Sequence, residues 1–405
     1  MRKKLSFLIA LAISLSVTTA AFADAAPAVP SNTTNNISIN NDTITLTLED
    51  ALNSIEKNNT ELKLMNDKIN ILNKQYDIDH NYATTIDTSV KTPTAVLTNQ
   101  YLQAKLLQEV VPLNDAQKIE DAKKSRDERL NIIKFDMQRQ YLNVLTCKDQ
   151  IDNINKTLAN IDEKIKQLQE KIKVGQAASD ALDSLNLQKI QLSSQISDIQ
   201  HQIDQSLLTI KQYLNIDLNK NLNLSAAKKD YVKFDDTDIV NKIYAAFDKD
   251  YSRKSLKNNI DIVKKQNDIY FKYSHNSFTG ETSTQSTIVD LQNSLITAND
   301  GLQHVLWSYY DILKDKENAV ETQRLTEKSA QETYDKAKKN FDVGITDKAT
   351  LDSAALDLDK QKNLTQRTVN EYMVTQDEYK FILEGYAYLF TRLSNQSIGV
   401  SGIGY

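Results

Sequence analysis

The chain has 405 residues, with 49 Lys and Arg against 54 Asp and Glu and a formal net charge of −5. Positively and negatively charged residues are interleaved along the sequence, which excludes a basic face of the kind that binds nucleic acid. The 8 Gly and 4 Pro are far fewer than ordinary usage and favour very long helices. A single cysteine, Cys147, excludes an internal disulfide, so the fold must be stabilised by packing.

The N-terminal residues have the pattern of an export signal. Basic residues at positions 2–4 precede an apolar run over 5–17 and then Ala-Phe-Ala at 21–23, which predicts a signal peptide over residues 1–23. The run is shorter than the roughly 20 apolar residues that a membrane-spanning helix needs. Residues 24–45, rich in Ser, Thr and Asn, are predicted to be a disordered lead-in. We therefore expect an exported protein.

Regular structure is predicted to begin at Thr47. Its hydroxyl can accept a hydrogen bond from the first turn of a helix, and Asp50, three residues later, completes an acidic variant of the capping box. The sequence predicts one helix from this cap to about His80.

A much longer helix is predicted up to residue 173, because residues 115–173 contain no Gly or Pro. Its apolar residues recur at alternating steps of three and four, at Ile151, Ile154, Leu158, Ile161, Ile165, Leu168 and Ile172. This period keeps one apolar seam facing a partner helix. Gly175 can take a positive φ at the helix end, Ser179 can cap a second helix, and the apolar pattern then resumes through residues 182–214. The segment therefore predicts an antiparallel helical hairpin.

The same pattern then occurs a second time. After an irregular stretch over 217–233, the sequence of Ile69–Ile78 returns as Ile260–Ile269 with six of ten residues identical. Tyr141, Leu145 and Lys148 return as Tyr309, Leu313 and Lys316. The Val-Gly pair at 174–175 together with Leu-Asp-Ser at 182–184 returns at 343–344 and 351–353. Three matches in one order indicate an internal duplication. The predicted organisation is a first repeat over 46–216, a linker over 217–233, a second repeat over 234–393 and a flexible tail over 394–405.

The predicted fold class is therefore mainly all-α, with long antiparallel coiled-coil hairpins in two tandem structural repeats. A helix of 55–60 residues spans roughly 85 Å, at 1.5 Å per residue.

Three segments resemble the TolC-like outer-membrane efflux protein family. The sequence Leu-Thr-Leu-Glu-Asp-Ala-Leu at 46–52, followed by Asn-Asn-Thr-Glu-Leu at 58–62, is similar to the opening helix of that family. Residues 110–115 resemble the segment that leaves its membrane barrel, and residues 343–352 resemble its hairpin tip. Each motif alone is an ordinary cap or turn, so the resemblance depends on their order and on the duplication.

The resemblance implies a function and partners. It implies a homotrimer whose helices close into a hollow periplasmic cylinder below an outer-membrane barrel, to which each chain gives four strands. Efflux substrates or exported proteins would pass through it from an inner-membrane pump, with a periplasmic adaptor (membrane fusion) protein at the helical tips. The implied location is the outer membrane and periplasm.

The sequence departs from the family in the barrel segments. Membrane strands need about 9 to 11 residues with alternating apolar side chains. Residues 82–97 and 271–289, with a turn predicted at Gly280, are short and polar. We expect short or vestigial β-hairpins there. If a barrel is absent, the protein is a coiled-coil scaffold of the cell envelope without a pore, and both readings stay open.

No motif for catalysis or cofactor binding is found, and the four histidines lack metal-ligand spacing, so we expect neither an enzyme nor a bound cofactor or metal. The candidate functional residues are at the hairpin tips. Val174, Gly175, Val343 and Gly344 form a docking surface for the adaptor, a simple helix end with Val packed beneath the turn, or both. Asp180, Asp183, Asp347 and Asp352 either ring a cation-attracting aperture or match the helix dipole.

Overall fold

The computed structural model describes residues 43–88, 95–176, 180–273 and 278–387. The predicted signal peptide, the lead-in up to residue 42 and the predicted tail over 394–405 lie outside the described residues. The described elements, in chain order, are β1 (Ile44–Leu46), α1 (Leu48–Asn58), α2 (Thr60–Thr85), α3 (Ala95–Glu109), α4 (Val111–Lys173), α5 (Asp180–Leu214), β2 (Leu222–Leu224), α6 (Ile239–Lys249), α7 (Tyr251–Tyr273), α8 (Phe278–Asp342) and α9 (Lys348–Leu383).

The helices follow one order twice, which confirms the mainly α-helical class with two tandem repeats. Helices α1 and α6 both have 11 residues. The long helices α4 and α8 have 63 and 65 residues, and their hairpin partners α5 and α9 have 35 and 36. Helix α3 has no counterpart among the described residues of the second repeat.

The first helical segment is broken in two, so the prediction of one helix from Thr47 to His80 is wrong. Thr47 is the predicted cap, because its Oγ1 accepts from the Asp50 N–H at 3.1 Å. The helix ends at Asn58, and buried Asn59 caps the next one by accepting from the Leu62 N–H at 3.0 Å. In the second repeat Asp250 holds the same place and accepts from the Arg253 N–H at 3.1 Å. The break is therefore duplicated with the helices.

A small parallel sheet joins the two ends of the first repeat. Strand β1 pairs with β2 in the register Ile44 to Leu222, which places part of the predicted lead-in and part of the predicted linker in strands. The Tyr141 hydroxyl lies 2.8 Å from the carbonyl oxygen of Leu46 and 2.7 Å from that of Ser225. Fully buried Tyr141 therefore ties the sheet to α4.

Each repeat buries its own apolar seam. In the first, residues of α1, α2, α4 and α5 form one cluster around Ile133, Met137 and Ile210. In the second, residues of α6, α8 and α9 form the main part of another around Leu313 and Tyr372. Full burial of one such side chain contributes about 1.5 to 3 kcal/mol to the stability of the fold. The predicted hairpin packing is thus found in both halves.

Polar contacts between α4 and α9 join the two repeats. The Arg139 guanidinium donates to both carboxylate oxygens of Glu378, with Nη2 and Oε2 2.6 Å apart. Farther along, the Lys156 ammonium pairs with Asp359 at 3.1 Å. Helix α4 therefore lies against α5 on one side and α9 on the other, and α9 also packs on α8. The long helices form a layer in the order α5, α4, α9, α8, with α5 and α8 at its edges.

The described residues of the two predicted strand segments are helical. Helix α2 extends to Thr85 and α3 begins at Ala95, while α7 ends at Tyr273 and α8 begins at Phe278. The predicted turn at Gly280 is wrong, because Gly280 lies inside α8. A Cβ atom there would lie 2.6 Å from Cδ1 of Tyr270, so the glycine permits α7 and α8 to approach closely. None of the helices in the described ranges is both long and apolar enough to cross a bilayer.

We predict that Gly280→Ala lowers the free energy of unfolding by about 1 to 3 kcal/mol, because the new methyl group would overlap the Tyr270 ring. The matched control is Gly301→Ala in the same helix, where a Cβ meets nothing within 4 Å. That change should stabilise the protein by about 0.5 to 1 kcal/mol. Denaturant unfolding measures both, and equal stability of the two variants would contradict the close approach.

Candidate functional site at the hairpin tips

The first tip is the turn between α4 and α5. Gly175 has a φ of +75°, a conformation that side chains with a Cβ rarely adopt. Its N–H donates to the Ile172 carbonyl at 2.9 Å, and the Gln176 N–H donates to the Lys171 carbonyl at 2.8 Å. These two hydrogen bonds form a Schellman motif, which satisfies carbonyl groups at the helix end.

The second tip, between α8 and α9, has the same turn. Gly344 has a φ of +76°, its N–H donates to the Phe341 carbonyl at 2.9 Å, and the Ile345 N–H donates to the Asn340 carbonyl at 2.8 Å. The sequence match at Val-Gly therefore corresponds to one backbone geometry in both repeats.

The two tips lie at the same end of the helical layer. Near this end the Lys164 ammonium of α4 donates to the Ser353 hydroxyl of α9 at 3.1 Å. Val174 and Val343 are exposed, so the alternative in which each valine packs beneath its turn is not observed. Ile345, two residues after Val343, is exposed as well and was not among the predicted tip residues. An apolar residue directly after the turn glycine is the signal that could have indicated it.

The acidic residues near the tips have different surroundings. Asp347 caps α9, with Oδ1 accepting from the Thr350 N–H at 2.8 Å and from the Thr350 hydroxyl at 2.7 Å. The hydrogen bonds from Thr350, followed by the charges of Lys164 and Lys171, hold the pKa of Asp347 below its ordinary value. Its predicted role at a helix start is therefore observed.

The other three acidic residues differ from one another in exposure and in position. Asp183 is exposed, Asp352 is half-buried, and Asp180 is the first residue of α5. No contact of the described residues joins the four acids into a ring, and the aperture stays a prediction.

Other groups that could support chemistry are buried or dispersed. Within the described ranges, no three His, Cys, Asp or Glu side chains are grouped closely enough to hold a metal ion. Cys147 is buried in α4, and this burial raises the pKa of its thiol. A buried thiol with a raised pKa is a poor nucleophile.

Comparison with known proteins identifies the fold. No family model and no curated protein sequence matches the chain. Among solved structures, CusC has a TM-score of 0.58 at 12% identity, covering 83% of this chain and 91% of its own. The outer membrane channel CmeC of Campylobacter jejuni gives 0.56 at 13%, covering 84% and 86%. The MtrE outer membrane channel of Neisseria gonorrhoeae in its open state gives 0.59 at 10%, covering 84% and 89%.

This chain has the TolC-like fold. The predicted resemblance is thereby confirmed in architecture, because these structures are outer membrane channels of the TolC-like kind and match most of the chain in both directions. Identities of 8% to 13% show a shared fold and leave the function to be proposed.

We predict that Gly175→Ala and Gly344→Ala each lower the free energy of unfolding by about 1 kcal/mol, because a Cβ at positive φ is strained. Neither site has an atom within 4 Å of the new methyl group, so the cost comes from the backbone alone. Asn, which tolerates this conformation better, should cost less at both positions. Thermal unfolding measures the effect. A loss at one tip and none at the other would show that the turns are not equivalent.

Proposed function

We propose that this chain belongs to the TolC-like family and forms an exit duct of the cell envelope. The observation that supports this is the duplicated long hairpin, which matches solved outer membrane channels over 83% to 84% of this chain. A layer of antiparallel helices with two open edges can close into a tube when copies are joined. The duct would be a homotrimer, as the family resemblance implies.

Transport through such a duct is passive and needs no catalytic group. Small molecules or exported proteins would enter from an inner-membrane pump and diffuse along the passage between the helices. Because interface centres are rich in apolar residues, the exposed Val174, Val343 and Ile345 are suited to contact the helical hairpin of an adaptor protein. The acids near the tips would favour cationic substrates. We therefore propose a transporter and not an enzyme, located in the outer membrane and periplasm.

A second candidate is a coiled-coil scaffold of the cell envelope in the same family, without pore activity. It is favoured by the helical state of residues 82–85, 95–97, 271–273 and 278–289, where the family's membrane strands would lie. A scaffold would use the helical layer to hold envelope components together. It would be exported but would not conduct substrates.

Dye retention distinguishes the two functions. We predict that cells lacking this protein retain several-fold more of an efflux dye than their parent, and that the chain with Val174→Asp and Val343→Asp fails to restore efflux. Two carboxylates would disrupt an apolar docking surface without disturbing the core, because both valines are exposed. The control is Leu218→Asp, another exposed apolar residue away from the tips, which should restore efflux fully.

If the deletion strain retains no more dye than its parent, the duct is contradicted. Loss of envelope integrity in that strain, measured as leakage of a periplasmic or surface-layer enzyme, would then support the scaffold.

A further inference from the structure

A groove lies over α9, between α4 and α8, where the two repeats meet. Its volume is about 460 Å³, and residues of all three helices line it. Pockets that bind small organic molecules range from roughly 300 to 1,000 Å³. Part of the lining is apolar and comes from Leu142 of α4, Ala319 of α8 and Val374 of α9. The groove is therefore large enough for a small organic ligand and has an apolar surface for it.

Contacts between α4 and α9 hold the groove in shape. The Asn363 amide Nδ2 of α9 donates to the Thr146 carbonyl of α4 at 3.2 Å. Fifteen residues farther along α9, Glu378 accepts from the Arg139 guanidinium, with Oε2 and Nη2 2.6 Å apart. The α9 residues that line the groove, at positions 367–374, lie between these two contacts. The spacing of the two helices is thus fixed in the chain itself.

Three cations from three helices line the groove, whereas only one carboxylate among the lining residues does. The cations are Arg139, Lys316 and Arg367, and the carboxylate is Glu371. Glu371 lies 3.6 Å from the Lys316 ammonium and 3.7 Å from Nε of Arg139. Charge-assisted hydrogen bonds between such groups are about 2.7 to 2.9 Å long. Glu371 therefore holds both cations loosely, and Glu378 neutralises Arg139 from behind, which leaves one positive charge in excess.

That excess charge is on Arg367. It lies one turn before Glu371 on the same helix, yet its side chain forms no ion pair or hydrogen bond with any described residue. Burial raises the pKa of the Cys147 thiol in α4, and the charge of Arg367 lowers it, so the guanidinium lies near α4. Its planar fork of donors suits the oxygen atoms of a carboxylate, phosphate or sulfonate.

Asn370 adds a neutral donor to the same lining. The residue is 5% exposed, and its Oδ1 accepts from the Lys229 N–H at 3.0 Å and from Gln366 Nε2 at 2.9 Å. These two hydrogen bonds fix which end of the amide is the acceptor. The Nδ2 group has no acceptor among the described residues and is left to donate into the groove.

The duplication shows that these groups belong to the groove and not to the helix type. By the match of the two tips, Arg367 corresponds to Asp198 in α5, and Asn370 corresponds to His201. The equivalent face of the first repeat therefore has a carboxylate where this groove has its unpaired cation. A solvated helical surface that had simply been copied would have kept the same charge in both places.

We propose that this groove binds an amphipathic organic anion. Arg367 and Lys316 hold its oxyanion group, Asn370 donates to a further oxygen, and its apolar body lies against Leu142 and Val374. The proposal does not rest on the function proposed above. Helix α9 separates Arg367 from Asp352 near the tip by about 22 Å, at 1.5 Å per residue, so the groove and the acidic tips have independent charge preferences.

Isothermal titration calorimetry of the full-length protein at low salt tests the proposal, with 1-naphthalenesulfonate as the probe. We expect saturable binding of one molecule per chain. The neutral 1-naphthalenesulfonamide has nearly the same shape, and it should bind about tenfold more weakly or worse because it lacks the charge. Inorganic sulfate should also bind at least about tenfold more weakly, because it has no apolar body to bury.

Four variants locate the site. Arg367→Gln should weaken binding about tenfold or more, whereas Lys336→Gln, which removes a charge from an exposed position of α8 outside the groove, should leave it unchanged. Glu371→Gln should tighten binding several-fold, because the competing carboxylate is removed, and damage to the fold would not have this effect. Ala319→Trp, at an exposed position of the wall, should abolish binding by filling the groove.

Four outcomes would overturn the proposal. Equal affinity for the sulfonate and the sulfonamide would reject an anion site, and equal affinity for sulfate and the sulfonate would reject an amphipathic ligand. An equal loss in Arg367→Gln and Lys336→Gln would show a general charge effect in place of a site. Absence of saturable binding would reject the groove altogether. Because the titration measures binding to the chain itself, each outcome is independent of whether the protein transports anything.

Discussion

The constraint on which this structure depends is the apolar seam along helices of 63 and 65 residues. A helix this long cannot fold back on itself without a break, so its seam can be covered only by other helices lying alongside. Each long helix therefore receives an antiparallel partner from the same repeat, and α4 receives α9 from the other repeat as well. The resulting layer has continuous helix-to-helix packing from α5 to α8, and its two edges are open.

Duplication explains both the regularity of the layer and its asymmetry. Corresponding helices end at the same kind of turn, with Gly175 and Gly344 at φ values of +75° and +76°. Corresponding surfaces, however, differ in whether the chain itself covers them. Ile262 and Ile269 are 9% and 4% exposed, whereas their counterparts Ile71 and Ile78 in the first repeat are 66% and 62% exposed. The two repeats thus share a geometry while differing in what they offer to a partner.

The sequence predicted the features that depend on local periodicity, and the features that depend on distant contacts escaped it. Steps of three and four predicted the long helices, and a glycine after the last apolar residue predicted both tips. The break at Asn59 was missed because its side chain also bonds to the distant Tyr213 carbonyl, at 3.2 Å. Gly280 was interpreted as a turn because a residue without a Cβ suits both a turn and a close helix crossing, and only the position of Tyr270 decides between them.

In the proposed duct, the open edges of this helical layer join those of further copies. Electron cryomicroscopy of the assembly purified from the native envelope tests it most directly. Views along the long helices should show a closed ring of helices around an open centre, with four long helices from each copy. Single curved layers, or a compact particle with a filled centre, would contradict the account.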